Sequence, residues 1–207
     1  MPAARRCVVL VPYLTHVEPR CEDSLRELER RGLEVRRFSA TAAVDRTRSE
    51  LATAALRDGF DELVWIDSDL QFEPDAVARL RDYDLPIVGG LCARQGIGDL
   101  AVELEPGTPP LQRGEGGLVD VRYLGTGFVC TQRIVYEDIQ RTFSLPPCNT
   151  RFGATVVPYF LPMVIPAGAS HWYLGEDYAF CERARQSGHK VVVDPAIRIG
   201  RIGRSVY

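Results

Sequence analysis

A chain of 207 residues with 45% apolar and 26% charged content has the proportions of one globular domain whose core is large enough to fold alone. Its 18 glycines and 14 prolines are too few for a collagen-like or low-complexity chain. A net charge of −3 excludes the global basic field that draws nucleic acid or an anionic membrane. The apolar runs are short. Residues 7–11 form one, far below the roughly 18 that mark a bilayer span, and no small-residue cleavage site follows it. A soluble, cytoplasmic domain is expected, with no nucleic-acid partner and no membrane span.

The six cysteines (Cys7, Cys21, Cys92, Cys130, Cys148, Cys181) form no C-x-x-C pair, so neither a zinc site nor a redox motif is indicated. Several lie in apolar runs, where a free cysteine acts as a small hydrophobe. Reduced, structural thiols are expected. Lys190 is the one lysine among 25 basic residues, which leaves any scheme needing a catalytic lysine a single candidate.

In chain order, residues 8–11 read as a buried strand and 24–31 as a helix, with Leu25 and Leu28 on one face and Gly32 as its stop. Val35 and Phe38 mark a second strand. Asp45 is a candidate cap for a helix reaching Arg57, with Leu51, Ala52, Ala55 and Leu56 turned inward. Residues 63–66 are continuously apolar, as in a strand covered on both faces. Pro74 opens a helix carrying Val77 and Leu80, and Ile87-Val88 is a fourth strand. This βαβαβαβ order predicts an open α/β sheet with helices on its faces. From Gln95 to Gly117, glycine and proline make a long irregular excursion of the kind that is usually functional. Strands over 119–123 and 128–131, a helix over 133–141, a second irregular stretch over 145–170 with five prolines, a helix over 175–186 and a strand over 191–193 complete the reading.

Three constellations carry chemistry. Asp67-Ser68-Asp69 leaves the carboxyl end of the apolar strand, where open α/β sheets bind ligands. Residues i and i+2 of an extended chain point the same way, so the two carboxylates converge, as suits a divalent cation shared with phosphate oxygens; a merely polar strand-end turn is the alternative. In Gly175-Glu176-Asp177, Asp177 shares a helix face with Phe180, Cys181 and Ala184, which makes it a partly desolvated candidate base. The alternative there is an acid placed only to suit the helix dipole. Arg48 shares a face with Leu51, Ala52 and Ala55, so its guanidinium points toward the sheet, either to clamp phosphate or a nucleotide base or as a snorkelling structural arginine. Gly125-Thr126-Gly127 is either a tight turn or a place of close approach to a ligand. Trp172 reads equally as a wall for a sugar and as an anchor for the Pro-rich stretch.

These segments, taken in order with Phe128, Phe180-Cys181-x-Arg183, Gly188 and Asp194-Pro195, resemble GT-A fold glycosyltransferases of the family-2-like type over nearly the whole chain. The resemblance implies a single α/β GT-A domain over residues 1–207, a Rossmann-like nucleotide-diphospho-sugar transferase fold with a mainly parallel central sheet. About 1–94 would be its nucleotide-binding half and about 95–207 its acceptor and catalytic half. It further implies that Asp67 and Asp69 hold Mn²⁺ or Mg²⁺ bound to a UDP- or GDP-linked sugar, with Ser68 between them in the donor site. Asp177, or else Glu176, would deprotonate an acceptor hydroxyl in an inverting, metal-assisted transfer. Arg48 would contact the nucleotide, and Gly125, Thr126 and Gly127 would line the sugar pocket; as a wall, Trp172 is the candidate to face the acceptor, a reading of its ring and not of the resemblance.

The chain departs from that pattern at Arg201, which stands where many relatives carry a metal-binding histidine. Arginine stays protonated and cannot ligate a cation. It can instead neutralise the diphosphate, alongside Arg198 and Arg204. Two other readings follow from the residues: a nucleotide-sugar-binding relative that has lost turnover, and a haloacid-dehalogenase-like phosphatase with Asp67 as nucleophile, Asp69 as acid and Lys190 as its lysine.

Overall fold

The computed structural model describes residues 5–40, 43–93, 100–111, 114 and 116–202. The opening of the first irregular stretch, including Gln95, Gly96 and Gly98, and the tail from Gly203, including Arg204, lie outside them. The elements run β1 (Cys7–Tyr13), α1 (Pro19–Arg30), β2 (Glu34–Ser39), α2 (Val44–Arg57), β3 (Glu62–Ile66), β4 (Leu70–Phe72), α3 (Asp75–Asp82), β5 (Ile87–Gly90), β6 (Val102–Glu103), β7 (Val119–Val121), β8 (Tyr123–Leu124), β9 (Phe128–Gln132), α4 (Arg133–Phe143), a 3₁₀ turn (Thr150–Phe152), β10 (Met163–Ala167), β11 (Ser170–Leu174), α5 (Glu176–Gln186), β12 (Val191–Asp194) and β13 (Ile199–Arg201).

A seven-stranded sheet in the order β2-β1-β3-β9-β5-β12-β7 forms the centre. Five of its strands point the same way, and β9 and β7 run against their neighbours. The period-two alternation of the strands explains the layering. Val8 and Leu10 face one core with Trp65, Tyr136 and Phe180, whereas Val9 and Val11 face a second with Leu25, Val77 and Phe128. Helices α2, α4 and α5 cover the first face, and α1 and α3 the second. The mixed α/β class and the mainly parallel sheet expected from the sequence are therefore present. Among the described residues no helix is long and apolar enough to cross a membrane.

Several boundaries differ from the sequence expectation. Helix α1 starts at Pro19, not Ser24, because buried Cys21 extends the apolar face of Leu25 and Leu28 by one turn. Asp45 lies inside the first turn of α2 rather than at its cap position, which Ala43 occupies. The stretch 119–123 is two strands: β7 pairs with β12, and β8 turns away to pair with β6. The Pro-rich stretch is only partly irregular, since β10 and β11 form a hairpin in which Pro166 faces His171. A two-stranded ribbon tolerates proline there because it has free edges. The strand order was not visible either: β9 inserts between β3 and β5, although it comes from the second half of the chain.

Candidate active site

Apolar β3 ends at Ile66, and the next three residues leave the sheet at the carboxyl ends of the strands. The turn is fixed by backbone hydrogen bonds: Asp67 N donates to the Gly127 carbonyl at 2.8 Å, and Glu18 N donates to the Ser68 carbonyl at 2.9 Å. A cleft of about 610 Å³ opens there, lined by Asp67, Ser68 and Asp69 together with Tyr13, His16, Arg48, Glu176, Asp177 and Arg201. Two other depressions lie elsewhere. One is at Arg5, Arg31 and Arg81, on the opposite edge of the sheet, and the other at Phe72, Pro195 and Arg198.

Five carboxylates and two guanidiniums line this cleft; Glu18 pairs with His16, and the other four acids, Asp67, Asp69, Glu176 and Asp177, stand with Arg48 and Arg201. Arg48, on the first full turn of α2, is 3% exposed; its Nη2 donates to Asp67 Oδ1 at 2.8 Å, and its Nε lies 3.8 Å from Asp177 Oδ1. Arg201 reaches the same group from the other side. Its Nη2 donates to Asp67 Oδ2 at 3.0 Å, its Nη1 faces both oxygens of Asp69 at 2.9 and 2.7 Å, and its Nε donates to the Ala93 carbonyl at 2.9 Å. Asp177 sits in the first turn of α5, where the helix dipole favours an anion, and accepts a hydrogen bond from the Thr126 hydroxyl.

The carboxylates respond differently to burial. Burial pushes Asp67 up, but Arg48 and Arg201 more than offset this and hold it below the usual aspartate range. Asp69 is raised, because burial outweighs its ion pair with Arg201. Glu176 is raised by burial and by its neighbour Asp177. Asp177 is also raised: burial and Asp67 win over Arg48 and Thr126. A carboxylate moved upward and placed at a cleft is the environment in which a general base operates near neutral pH.

Asp67, Ser68, Asp69, Arg48, Glu176, Asp177 and Arg201 are thus brought together. Gly125, Thr126 and Gly127 are not on the wall of the cleft; they stand behind the carboxylates. A Cβ on Gly127 would meet Asp67 Oδ2 at 2.7 Å, and one on Gly125 would meet Ala101 Cβ at 2.9 Å, so close backbone approach is their structural requirement. Trp172 also lies off the cleft wall, packed edge-on against Tyr123 (5.6 Å) and Tyr178 (6.2 Å), while its neighbour Tyr173 is 67% exposed. Arg198 is exposed beside Gln71 and Pro195, away from the acidic group. Lys190 pairs with Asp120 at the start of β12, the opposite edge of the sheet, which removes the lysine a phosphatase would need. Sequence reasoning missed the Thr126–Asp177 bond, whose partners are 51 residues apart, and the part taken by Tyr13 and His16. Nothing in local spacing signals either.

The residues present do not fit a cation held by this chain. Each oxygen of Asp67 and Asp69 already faces a guanidinium nitrogen, and among the described residues no group of three His, Cys, Asp or Glu side chains could hold a metal ion.

No family model and no curated protein matches this sequence. Solved structures do. A197 from STIV superposes with a TM-score of 0.62 at 17% identity, over 95% of this chain and 85% of its own. GalNAc-T7, solved with UDP, GalNAc and Mn²⁺, gives 0.54 at 13% identity; the match takes in 99% of this chain but 45% of GalNAc-T7. At such identities the likeness is one of fold, and with the sheet order and the acidic strand end it establishes that this chain has the GT-A fold of glycosyltransferases.

Proposed function

We propose that the chain is an inverting glycosyltransferase that moves a sugar from a UDP- or GDP-linked donor to an acceptor hydroxyl. The observation that carries this reading is the meeting of Asp67, Asp69, Arg48, Arg201 and Asp177 in one cleft at the carboxyl edge of the sheet. Residues 1–94 would supply most of the nucleotide side and residues 95–207 the base, the acceptor side and Arg201.

Asp177 is the base. Its oxygen takes the proton of the acceptor hydroxyl as that oxygen attacks the anomeric carbon; the bond from this carbon to the phosphate oxygen breaks, and the nucleoside diphosphate leaves with the electron pair. Charge grows on the leaving phosphate, and fixed cations aimed at it are a large part of catalysis in such sites. Arg201 is the cation at the cleft surface. Arg48 lies deeper and acts through the acids it holds. Thr126 fixes the Asp177 carboxylate by its hydroxyl, and Tyr13 and His16 offer ring surfaces to the nucleoside. Glu176, beside Asp177, is the second acid of the pair; burial and the charge of Asp177 keep its own affinity for a proton high.

The test is a panel of nucleotides in a thermal melt. UDP or GDP, with or without its sugar, should raise the melting temperature while ADP and inorganic phosphate do not, because a ligand of the native state alone stabilises it. No shift with any nucleoside diphosphate would remove the donor assignment.

A further inference from the structure

We propose that Arg201 is the resident cation of the donor site: Asp67 and Asp69 hold its guanidinium rather than a metal, and a nucleoside diphosphate binds there without a divalent ion. The inference rests on the donor-site reading above.

The backbone determines where Arg201 stands. Strand β13 pairs antiparallel with β4, which sets Arg201 opposite Leu70, and Ile202 N donates to the Asp69 carbonyl at 2.7 Å. The side chain therefore rises beside the acidic turn by strand register. Its Nη1 spans the two oxygens of Asp69, its Nη2 takes one oxygen of Asp67, and Arg48 takes the other. A Mg²⁺-sized ion needs oxygens at about 2.0–2.1 Å in near-octahedral array. To gain them it would have to break these four contacts and place two charges beside a group that cannot lose its own. No third acid, histidine or cysteine among the described residues is placed to compensate.

The guanidinium also keeps capacity for a ligand. Among the described residues Nη2 makes one hydrogen bond, to Asp67, and the side chain retains 16% exposure at the cleft. A planar donor fork at that position matches phosphate oxygens and carries a charge that no chelator removes. Gly127 belongs to the same device, since a side chain there would fall 2.7 Å from Asp67 Oδ2 and 3.4 Å from Arg201 Nη2.

Two titrations test the proposal on wild type, Arg201→His and Arg201→Ala, with circular dichroism melts to identify folded variants. The first follows the electron paramagnetic resonance signal of free Mn²⁺ with no nucleotide present. Wild type should leave the signal unchanged, whereas both variants, with the two aspartates released, should deplete it, and an added Asp69→Asn should abolish the gain. The second measures UDP and GDP affinity in Mn²⁺ and in EDTA. Wild type should bind equally in both. The variants should lose at least about tenfold in EDTA, the worth of one charge-assisted hydrogen bond, and Mn²⁺ should restore binding to Arg201→His. Depletion of Mn²⁺ by wild type, or nucleotide binding by wild type only with Mn²⁺, overturns the proposal and leaves the donor site standing. Variants that bind nucleotide in EDTA as wild type does also overturn it. Wild type that binds neither UDP nor GDP in either condition would instead defeat the donor-site reading, and the proposal with it.

Discussion

One buried guanidinium serves two separate acids: Arg48 donates to Asp67 Oδ1 at 2.8 Å while its Nε lies 3.8 Å from Asp177 Oδ1. Among the described residues, two of its nitrogens, Nε and Nη1, have no hydrogen-bond partner. An incompletely satisfied buried cation is costly, and it persists where it holds neighbouring charges in place. It joins Asp67 at the strand end to Asp177 at the start of α5, which lie 110 residues apart in number but share this one side chain.

Removing that charge should move the working pH. Arg48 favours the ionised form of Asp177, against burial that disfavours it. In Arg48→Met the aspartate should hold its proton to higher pH, so the acidic limb of kcat/KM should shift upward. Arg48→Lys, which keeps the charge, should shift it less. An acidic limb that stays in place in Arg48→Met would separate Arg48 from the base.

Asp177→Asn should reduce transfer by about 10²–10⁴-fold with donor affinity retained, and Glu176→Gln should cost far less. Normal turnover in the first variant and none in the second would exchange their roles.

Stability should respond in opposite senses at two acids of the same cleft. Asp177 has a raised folded value, so its ionised form weighs against the fold once the pH exceeds the ordinary aspartate value of about 3.9. Asp177→Asn removes that penalty and should melt at or above wild type at neutral pH, with the difference vanishing in acid. Asp67 has a lowered folded value, so its contribution is present above about 3.9 and is lost as the pH falls through that lowered value. Asp67→Asn leaves two guanidiniums without their shared partner and should cost about 3 kcal/mol at neutral pH. Melts at neutral and acid pH check both signs.

The cysteines give an independent check of the fold. Cys7, Cys21, Cys92, Cys130 and Cys181 are buried free thiols, and Cys148 is the partly exposed one. Burial pushes Cys7, Cys21 and Cys181 up to about 12, and Cys92 and Cys130 higher still. The thiolate is the reactive form. An aromatic disulfide reagent should therefore label Cys148 rapidly in native protein, and all six only after denaturation. Fast labelling at Cys130 or Cys92 would contradict the packing of the central sheet.

Where the sequence was legible, one local period decided the structure. The apolar run ending at Ile66 made a buried strand, and its position in an α/β pattern put Asp67 and Asp69 at the ligand edge. The 3.6-residue period around Asp177 placed Phe180 and Cys181 inward, and both are buried. What local period could not show was pairing across the chain. The insertion of β9 between β3 and β5, the split of 119–123 and the hairpin of β10 with β11 are set by partners far away in sequence. The same holds at the site. Arg201 was visible as an arginine in a metal ligand's place, but its grip on both aspartates depends on the register of β13 with β4. Trp172 read equally as a wall and as an anchor because aromatic residues serve both roles; its contacts with Tyr123 and Tyr178 are packing contacts.

The central claim, that Asp177 drives an inverting displacement on a nucleoside diphosphate sugar, is tested most directly by NMR of the sugar released when wild type and Asp177→Asn are held with α-linked UDP- and GDP-sugars and water as the only acceptor. Wild type should slowly release the β-anomer first from one of these donors, and Asp177→Asn should release it at least about 10²-fold more slowly. Release of the α-anomer first, equal rates in the two proteins, or no release from any donor would contradict the claim.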